Sequence, residues 1–229
     1  MNKIMIITGG TSGLGKELLK EAINRGFFVC NLARNKEKMN SLELEYKENY
    51  KGFNGDVTDA EFVKTAINEI SKLGDIYCLI NCAEKACFKK ATDYESDDID
   101  MSLMGLKGMI LCSTETLKVK EEKDLKIINI MSSAALKGNK NETVYCSAKW
   151  GERGYTEALK AEYKGTSVKV IGVYPGGMNT EFWNNSRDYV SEERAKSFMN
   201  PNDVARVILD NISYDSLKVS DITIERNSK

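Results

Sequence analysis

The stretch KIMIITGGTSGLG, residues 3–15, runs from an apolar strand pattern directly into a glycine-rich turn. Gly9, Gly13 and Gly15 form the spacing G-x-x-x-G-x-G. Because glycine has no side chain, backbone N–H groups and the start of the next helix can approach a pyrophosphate here. A strand-to-helix turn without a ligand would also use glycines. The position of this turn, after the first strand of a βαβ pattern, favours nucleotide binding.

Apolar runs alternate with amphipathic segments along the whole chain. The runs are rich in Ile and Val and mostly lack strict alternation, as expected of strands that are covered on both faces. This order predicts a parallel sheet with right-handed crossovers. The predicted strands are residues 3–7, 27–33, 75–81, 125–131, 168–174 and 218–225, with a weaker one before Asp56.

Composition narrows the possible functions. The 229 residues carry 33 Lys and Arg against 34 Asp and Glu, so no strong field favours nucleic acid or an anionic membrane. The absence of histidine excludes His-based triads and His-ligated zinc, and the six cysteines form no C-x-x-C pair that would suggest a metal site. We expect one domain, 1–229, in a cytoplasmic protein without a bound metal.

Three polar residues are predicted to converge near the middle of the chain. Ser132 ends an apolar strand, and Tyr145 and Lys149 in YCSAK lie four residues apart on one helical face. A lysine cation near the phenol would lower the tyrosine pKa below about 10, making it a usable acid and base. Alternatively, the tyrosine and lysine lie on a solvated helix surface.

Five separated motifs resemble those of the one-domain short-chain dehydrogenases/reductases, in the same order and at similar intervals. They are TGGTSGLG, GDVTD, Ser132, YCSAK and PGGMNT. The resemblance spans nearly the whole chain. It implies an α/β fold, a Rossmann-type three-layer sandwich with a seven-stranded parallel sheet, and assembly as a homodimer or homotetramer.

The resemblance also implies roles for individual residues in the transfer of hydride between nicotinamide and a small carbonyl or alcohol. Ser132 would bind the carbonyl, Tyr145 would protonate its oxygen, and Lys149 would also hold the nicotinamide ribose. The implied cofactor-binding residues are Thr8, Gly9, Thr11, Ser12, Gly13, Leu14, Gly15, Arg34, Asp56, Val57, Asn81, Ala83, Tyr145, Lys149, Pro175, Gly176, Met178 and Thr180.

The chain departs from the family pattern at two places. NCAE, residues 81–84, has Cys82 and Glu84 where the family usually reads N-N-A-G, and Gly105 stands where the family has an asparagine. In the family, the backbone carbonyl of that asparagine holds a water in a proton relay, and glycine keeps the carbonyl. We therefore expect a retained but slower relay. The alternative is a catalytically idle NADP-binding protein with a redox-sensing or regulatory role.

The end of the second strand predicts the form of the cofactor. Ala33 occupies the position where NAD-dependent relatives carry an aspartate, and Arg34 follows it. Alanine does not repel a 2′-phosphate, and arginine offers it a charge-assisted contact, so we expect NADP(H) to be preferred over NAD(H). Alternatively, Arg34 only begins the polar run RNKEK before the next helix.

The segment at about 177–200 is similar in position to the substrate lid of the family. It contains Phe182, Trp183, Tyr189 and Phe198 among charged residues. These aromatic residues either line a pocket for an apolar or ring-bearing carbonyl or form the core of two short helices. The sequence leaves both interpretations open and does not identify the substrate.

Overall fold

The computed structural model describes residues 3–121, 123–186, 189–214 and 216–227. Strands and helices alternate along these ranges, as the sequence predicts. In the first half the order is β1 (Lys3–Thr8), α1 (Gly13–Asn24), β2 (Phe28–Ala33), α2 (Lys36–Tyr46), β3 (Tyr50–Asn54), α3 (Ala60–Ser71), β4 (Asp75–Asn81) and α4 (Ser96–Lys120). The second half contains β5 (Leu125–Ile130), α5 (Thr143–Glu162), β6 (Val168–Pro175), α6 (Glu192–Lys196), α7 (Pro201–Ile212) and β7 (Asp221–Ile224).

The strands form one seven-stranded sheet in the order β3-β2-β1-β4-β5-β6-β7, and all its pairings are parallel. The predicted α/β Rossmann-type fold is thereby confirmed. The order in which the chain adds strands reverses between β1 and β4. The chain first adds β2 and β3 on one side of β1 and then continues with β4 on the other side. Open α/β sheets bind ligands at the carboxyl ends of the strands beside such a reversal.

Helices cover both faces of the sheet, giving three layers. On one face, α1 and α7 bury Leu18, Leu19 and Ile208 against the apolar side chains of the strands. On the other face, α3 contributes Ile67 and α5 contributes Leu159 to a second cluster. Because both faces are covered, successive residues of the central strands are apolar. Their sequences therefore do not alternate between apolar and polar residues.

Several boundaries differ from the sequence prediction. The last strand is shorter than residues 218–225 and comprises Asp221–Ile224. The weak strand expected before Asp56 is present as β3, where only Tyr50 and Phe53 are buried. Its apolar pattern is weak because β3 is an edge strand that contributes few side chains to the core.

Within the described ranges, no helix is both long and apolar enough to cross a membrane. The same residues contain no cluster of three or more His, Cys, Asp or Glu side chains arranged to hold a metal ion. All six cysteines lie within these ranges and are free thiols.

Candidate active site

A cleft of about 1440 Å³ opens at the carboxyl ends of β1, β2, β4, β5 and β6. It gathers residues that are far apart in the sequence, because parallel strands end at the same edge of the sheet. The predicted site residues that line it are Gly9, Thr11, Ser12, Gly13, Leu14, Gly15, Arg34, Asp56, Val57, Ala83, Ser132, Tyr145, Lys149, Pro175, Gly176, Met178 and Thr180.

The glycine-rich turn between β1 and α1 needs its glycines for two different reasons. Gly9 and Gly13 have φ of +75° and +51°, a left-handed conformation that side chains disfavour. At Gly15 the reason is contact, because a Cβ there would lie 2.4 Å from the carbonyl oxygen of Gly9. A Cβ on Gly9 would also meet the Cα of Ala83 at 2.8 Å. The turn therefore packs directly on the end of β4.

Thr8 and Asn81 lie beneath the cleft and support its floor. Thr8 Oγ1 accepts hydrogen bonds from the backbone N–H groups of Cys82 and Ala83, both at 2.9 Å. Asn81 Nδ2 donates to Asn129 Oδ1 at 2.8 Å. Both residues line a small cavity of about 10 Å³ rather than the cleft itself. They position the loop after β4 and are too deep to be direct ligands in this arrangement.

Arg34 and Asp56 form one side of the cleft at the ends of β2 and β3. The guanidinium of Arg34 lies 3.5 Å from Asp56 Oδ2, and both side chains are partly exposed. Burial tends to raise the pKa of Asp56, but hydrogen bonds from Thr58 and the charge of Arg34 outweigh it and lower the pKa. Ala33, which precedes the arginine, is buried. The Arg34 guanidinium thus lies on the cleft wall with Asp56 as its acidic partner, and β2 itself ends in Ala33 and not in a carboxylate.

Ser132, Tyr145 and Lys149 come together at the inner end of the cleft. Ser132 and Tyr145 both line this part of the cleft. Lys149 Nζ lies 5.6 Å from the centroid of the Tyr145 ring, and the lysine is only 1% exposed. Tyr145 and Lys149 are both buried, so the alternative of a solvated helix surface is wrong.

The expected lowering of the Tyr145 pKa is not what the surroundings produce. Burial raises the pKa of Tyr145 above its ordinary value, whereas Lys149 and the hydrogen bond from Ser132 act in the predicted opposite direction. The carboxylates of Glu84 and Glu152 add to the increase. The sequence interpretation was wrong about the net sign because it considered the lysine cation without the burial of the phenol and without the two carboxyl groups beside it.

Those two carboxyl groups reach Lys149 from different parts of the sequence. Lys149 Nζ donates to Glu84, in the loop after β4, and to Glu152 Oε1 and Oε2 at 3.0 and 2.9 Å. Glu152 is fully buried, and the Glu84 side chain is 14% exposed. Burial tends to lower the pKa of Lys149, but the two charged partners outweigh it and raise the pKa above its usual value. Lys149 is therefore a cation in the resting site.

Gly105 of α4 lies directly against Glu84. A Cβ at this position would be 2.4 Å from Glu84 Oε2 and 2.9 Å from its Cδ. The helix continues through this glycine from Ser96 to Lys120. The two departures from the family pattern are thus spatially one feature, in which the Glu84 carboxyl group fills the space beside a glycine.

Aromatic side chains cover Tyr145 on the outer side of the cleft. Phe88 packs edge-on against Tyr145, with ring centroids 5.2 Å apart, and stacks on Trp183 and Tyr189 at 5.4 and 4.8 Å. Phe182 lies 6.2 Å from Tyr145. Phe182, Trp183 and Tyr189 also line the cleft, whereas Phe88 packs behind them. The substrate that this part of the cleft would accept stays a prediction.

The lid segment is tied to the rest of the protein at its base and near its middle. Met178 and Met199 form an isolated parallel bridge, with Met199 N–H donating to Gly177 at 3.1 Å. The hydroxyl of Tyr189 contacts the Glu142 carboxylate at the start of α5. These contacts hold the aromatic wall, which comprises Phe88, Phe182, Trp183 and Tyr189, next to Tyr145.

Comparison with known proteins identifies the family. The family model for short chain dehydrogenase matches residues 3–190. The chain belongs to the short-chain dehydrogenase family of oxidoreductases. It is similar to an uncharacterized oxidoreductase of Staphylococcus aureus, with 28% identity over 97% of this chain and 96% of the relative.

Solved structures of other short-chain dehydrogenases share the fold over the whole chain. A short-chain dehydrogenase/reductase from Vibrio parahaemolyticus is 28% identical, with a TM-score of 0.85 over 97% of this chain and all of that one. ElxO, solved with NADP bound, is 26% identical, with a TM-score of 0.86 over 98% of each chain.

Sequence reasoning missed two groups in this short-chain dehydrogenase. Glu152 is three residues after Lys149, and the helical spacing was a usable signal for a contact between them. Phe88 lies in an irregular segment between β4 and α4, without periodicity to show that it would reach Tyr145. Glu84 was noticed as a departure, but its contact with Lys149 spans 65 residues.

Proposed function

We propose that this short-chain dehydrogenase transfers hydride between NADP(H) and a small carbonyl or alcohol, using Ser132, Tyr145 and Lys149. The observation that carries the proposal is the convergence of the two hydroxyls and the buried lysine at the inner end of the cleft. A buried tyrosine next to a lysine cation is a suitable acid for a carbonyl oxygen that gains negative charge.

The cleft residues fit a dinucleotide. The left-handed conformations of Gly9 and Gly13 and the close packing of Gly15 bring backbone N–H groups to the start of α1, where a pyrophosphate can bind. Ser12 is the N-cap of that helix, and its side chain accepts no hydrogen bond from the described first turn. Asp56, Val57, Ala83, Met178 and Thr180 line the path between this turn and Tyr145.

In the reductive direction, each catalytic side chain has a separate task. The bound nicotinamide supplies the hydride. The Ser132 hydroxyl donates to the substrate carbonyl oxygen and fixes its position next to Tyr145. The Tyr145 hydroxyl gives its proton to that oxygen, and the Lys149 ammonium stabilises the phenolate that remains. The buried position of Lys149 strengthens this electrostatic effect because little water screens it.

Arg34 supports a preference for the phosphorylated cofactor. Its guanidinium lies on the cleft wall, paired at 3.5 Å with Asp56, and it is free of any β2 carboxylate that would repel a 2′-phosphate. ElxO, a relative with 26% identity, was solved with NADP bound, which supports the same assignment.

The aromatic wall supports a substrate with an apolar or ring-bearing group. Phe88 and Phe182 pack on Tyr145, and Trp183 packs on both of them. Apolar surfaces of this kind bind flat or hydrophobic groups. We therefore infer that the preferred carbonyl carries an aromatic or bulky apolar substituent.

A second candidate function is cofactor binding without catalysis. The observation that favours it is the pair of carboxyl groups on Lys149, which raise the pKa of Tyr145 rather than lower it. Against it, all three reactive side chains are in mutual reach. The two candidates differ in a measurable way, because an idle protein binds NADPH but does not oxidise it.

The test compares NADPH oxidation with aromatic and small aliphatic aldehydes and ketones. We expect turnover of aromatic carbonyls, and a decrease of at least about a hundredfold in Tyr145→Phe with nearly unchanged NADPH affinity. Tyr214→Phe, an exposed tyrosine outside the cleft, is the matched control. Equal turnover by Tyr145→Phe and the parent would contradict the catalytic role. NADPH binding without oxidation of any carbonyl would favour the idle alternative.

Other features stay predictions. These are a single domain comprising residues 1–229, a lid at about 177–200, a cytoplasmic location, assembly as a homodimer or homotetramer, and no binding of nucleic acid.

A further inference from the structure

Lys149 has more acidic partners than its charge can balance. One ammonium group contacts the carboxyl groups of both Glu84 and Glu152. If both were ionised, this enclosed site would carry a net charge of −1 with almost no access to water. Burying an uncompensated charge is costly, so one carboxyl group keeps its proton instead.

The burial of Glu152 supports this protonation state. Its side chain is 1% exposed, and its carboxyl group shares the Lys149 ammonium group with Glu84. Burial, followed by the neighbouring Glu84, raises the pKa of Glu152 to about 8 against the opposing effect of Lys149. The proton that the site keeps is therefore held by Glu152, beside the Glu84 carboxyl group.

Gly105 leaves the space that the Glu84 carboxyl group occupies in this arrangement. Because a Cβ on residue 105 would lie 2.4 Å from Glu84 Oε2, the Glu84 carboxyl group and a larger side chain at 105 cannot occupy these positions together. Glu84 also lines the cleft, whereas Glu152 does not. The pair thus connects a fully buried carboxyl group to the side of the cleft through one partly exposed residue.

We propose that Glu84 and Glu152 are positioning residues that hold one shared proton next to Lys149 and resupply Tyr145 during catalysis. This inference rests on the function proposed above. Each carbonyl reduced takes one hydride from the cofactor and one proton from Tyr145. The Lys149 ammonium passes a proton to the phenolate and takes one from the carboxyl pair, and a proton from bulk solvent reaches Glu84 through water in the cleft. Charge and proton number balance over the cycle.

The charged and titratable groups around the pair lie on α5 and in the loop after β4. Lys149 and Tyr145 lie on α5 with Glu152, and Cys82 lies at the start of the loop that carries Glu84. The third element packed against the pair is α4, which contributes Gly105 and no titratable group at this contact. Burial raises the pKa of Cys82 to about 12, so this thiol stays neutral near pH 8. The carboxyl pair is therefore the group in this cluster that changes charge there.

The first experiment measures the protonation state directly, without turnover. Protein with ¹³C-labelled glutamate carboxyl groups is titrated by NMR, together with Glu152→Gln, Glu84→Gln and the control Glu157→Gln on the exposed surface of α5. We expect one carboxyl resonance to titrate near pH 8 in the parent and the control and to be lost in Glu152→Gln. Titration of every glutamate below about pH 6 in the parent would overturn the proposal.

The second experiment separates this proposal from the proposed function. If the parent reduces carbonyls, we expect kcat to fall above about pH 8 and this midpoint to disappear in Glu152→Gln and Glu84→Gln. In both variants kcat at pH 7 should fall at least about tenfold while KM for NADPH changes little. The exchange Glu84→Gly with Gly105→Asn, which restores the family arrangement, should recover kcat without the midpoint near pH 8.

The combined outcomes are distinct. Unchanged kcat and pH profile in both glutamine variants would overturn the relay even if the parent is active. A parent protein whose carboxyl resonance titrates near pH 8 but which does not oxidise NADPH would contradict both the proposed function and the relay. The NMR titration would still establish that a carboxyl group beside Lys149 keeps its proton. Circular dichroism of each variant checks folding, and Glu84→Gln, at the less buried position, provides the second readout if Glu152→Gln unfolds.

Discussion

Substitution of Gly15 by alanine tests whether the glycine-rich turn depends on contact rather than on backbone conformation. Gly15 has no left-handed φ, so alanine is allowed by its backbone. The obstacle is the carbonyl oxygen of Gly9, which a Cβ on residue 15 would approach to 2.4 Å. Ordinary contacts of a Cβ begin at 3.4 Å, so the turn must move by about 1 Å.

Two effects of opposite sign determine the magnitude. Overpacking of a rigid site costs about 1–3 kcal/mol, whereas exchange of glycine for alanine in a helix gains about 0.5–1 kcal/mol. We therefore expect Gly15→Ala to lower the free energy of unfolding by about 1–2 kcal/mol. For a chain of this length that corresponds to a decrease in Tm of about 2–8 °C. Displacement of Gly9 should also weaken NADPH binding at least about tenfold.

Gly154 provides the matched control. It lies on the exposed side of α5, and a Cβ there would meet no atom within 4 Å. The same substitution, Gly154→Ala, should therefore raise Tm by about 1–4 °C and leave NADPH affinity unchanged. Differential scanning calorimetry and NADPH titration measure both quantities. A Gly15→Ala protein with the parental Tm and NADPH affinity would refute the assignment of this turn as a closely packed cofactor site.

Three further predictions concern the cofactor, the buried acid and the aromatic wall. Arg34→Ala should reduce the preference for NADPH over NADH by about five- to thirtyfold, since a partly exposed charge-assisted contact contributes about 1–2 kcal/mol; equal affinities of the parent for both cofactors, by calorimetric titration, would contradict this. Between pH 4.5 and about 8 the folded protein binds more protons at Glu152 than the unfolded chain. The free energy of unfolding should therefore fall as pH rises across this window. Thermal melts should show a smaller fall in Glu152→Gln. Phe182→Ala should raise KM for aromatic carbonyls about tenfold and leave NADPH affinity intact; an unchanged KM would show that this ring does not contact substrate.

The sequence predicted the sheet and the cleft well because both depend on local signals. Apolar strands covered on two faces are recognisable without alternation, and glycines spaced as in residues 8–15, between a strand and a helix, are typical of a nucleotide-binding turn. The convergence of Ser132 with Tyr145 also followed from local order, since one residue ends a strand and the other begins the next long helix.

The electrostatics of the site were not predictable from the same signals. The sign of the Tyr145 pKa shift depends on the burial of the whole cluster and on Glu84, which reaches Lys149 from a loop 65 residues away. No periodic pattern encodes such a contact. Only the fold reveals that Glu84 and Gly105 are complementary, because their adjacency is set by the packing of α4 against the loop after β4.

The bridge between Met178 and Met199 makes the lid an interchangeable unit. Its two ends are held together by backbone hydrogen bonds at the edge of the sheet, with Asn179 N–H donating to Met199 at 2.9 Å. Segments of different length and composition can therefore replace residues 180–198 without changing the register of the seven strands. We infer that exchange of this segment would alter the accepted carbonyl, while the proposed catalytic residues Ser132, Tyr145 and Lys149 would keep their positions after β5 and on α5.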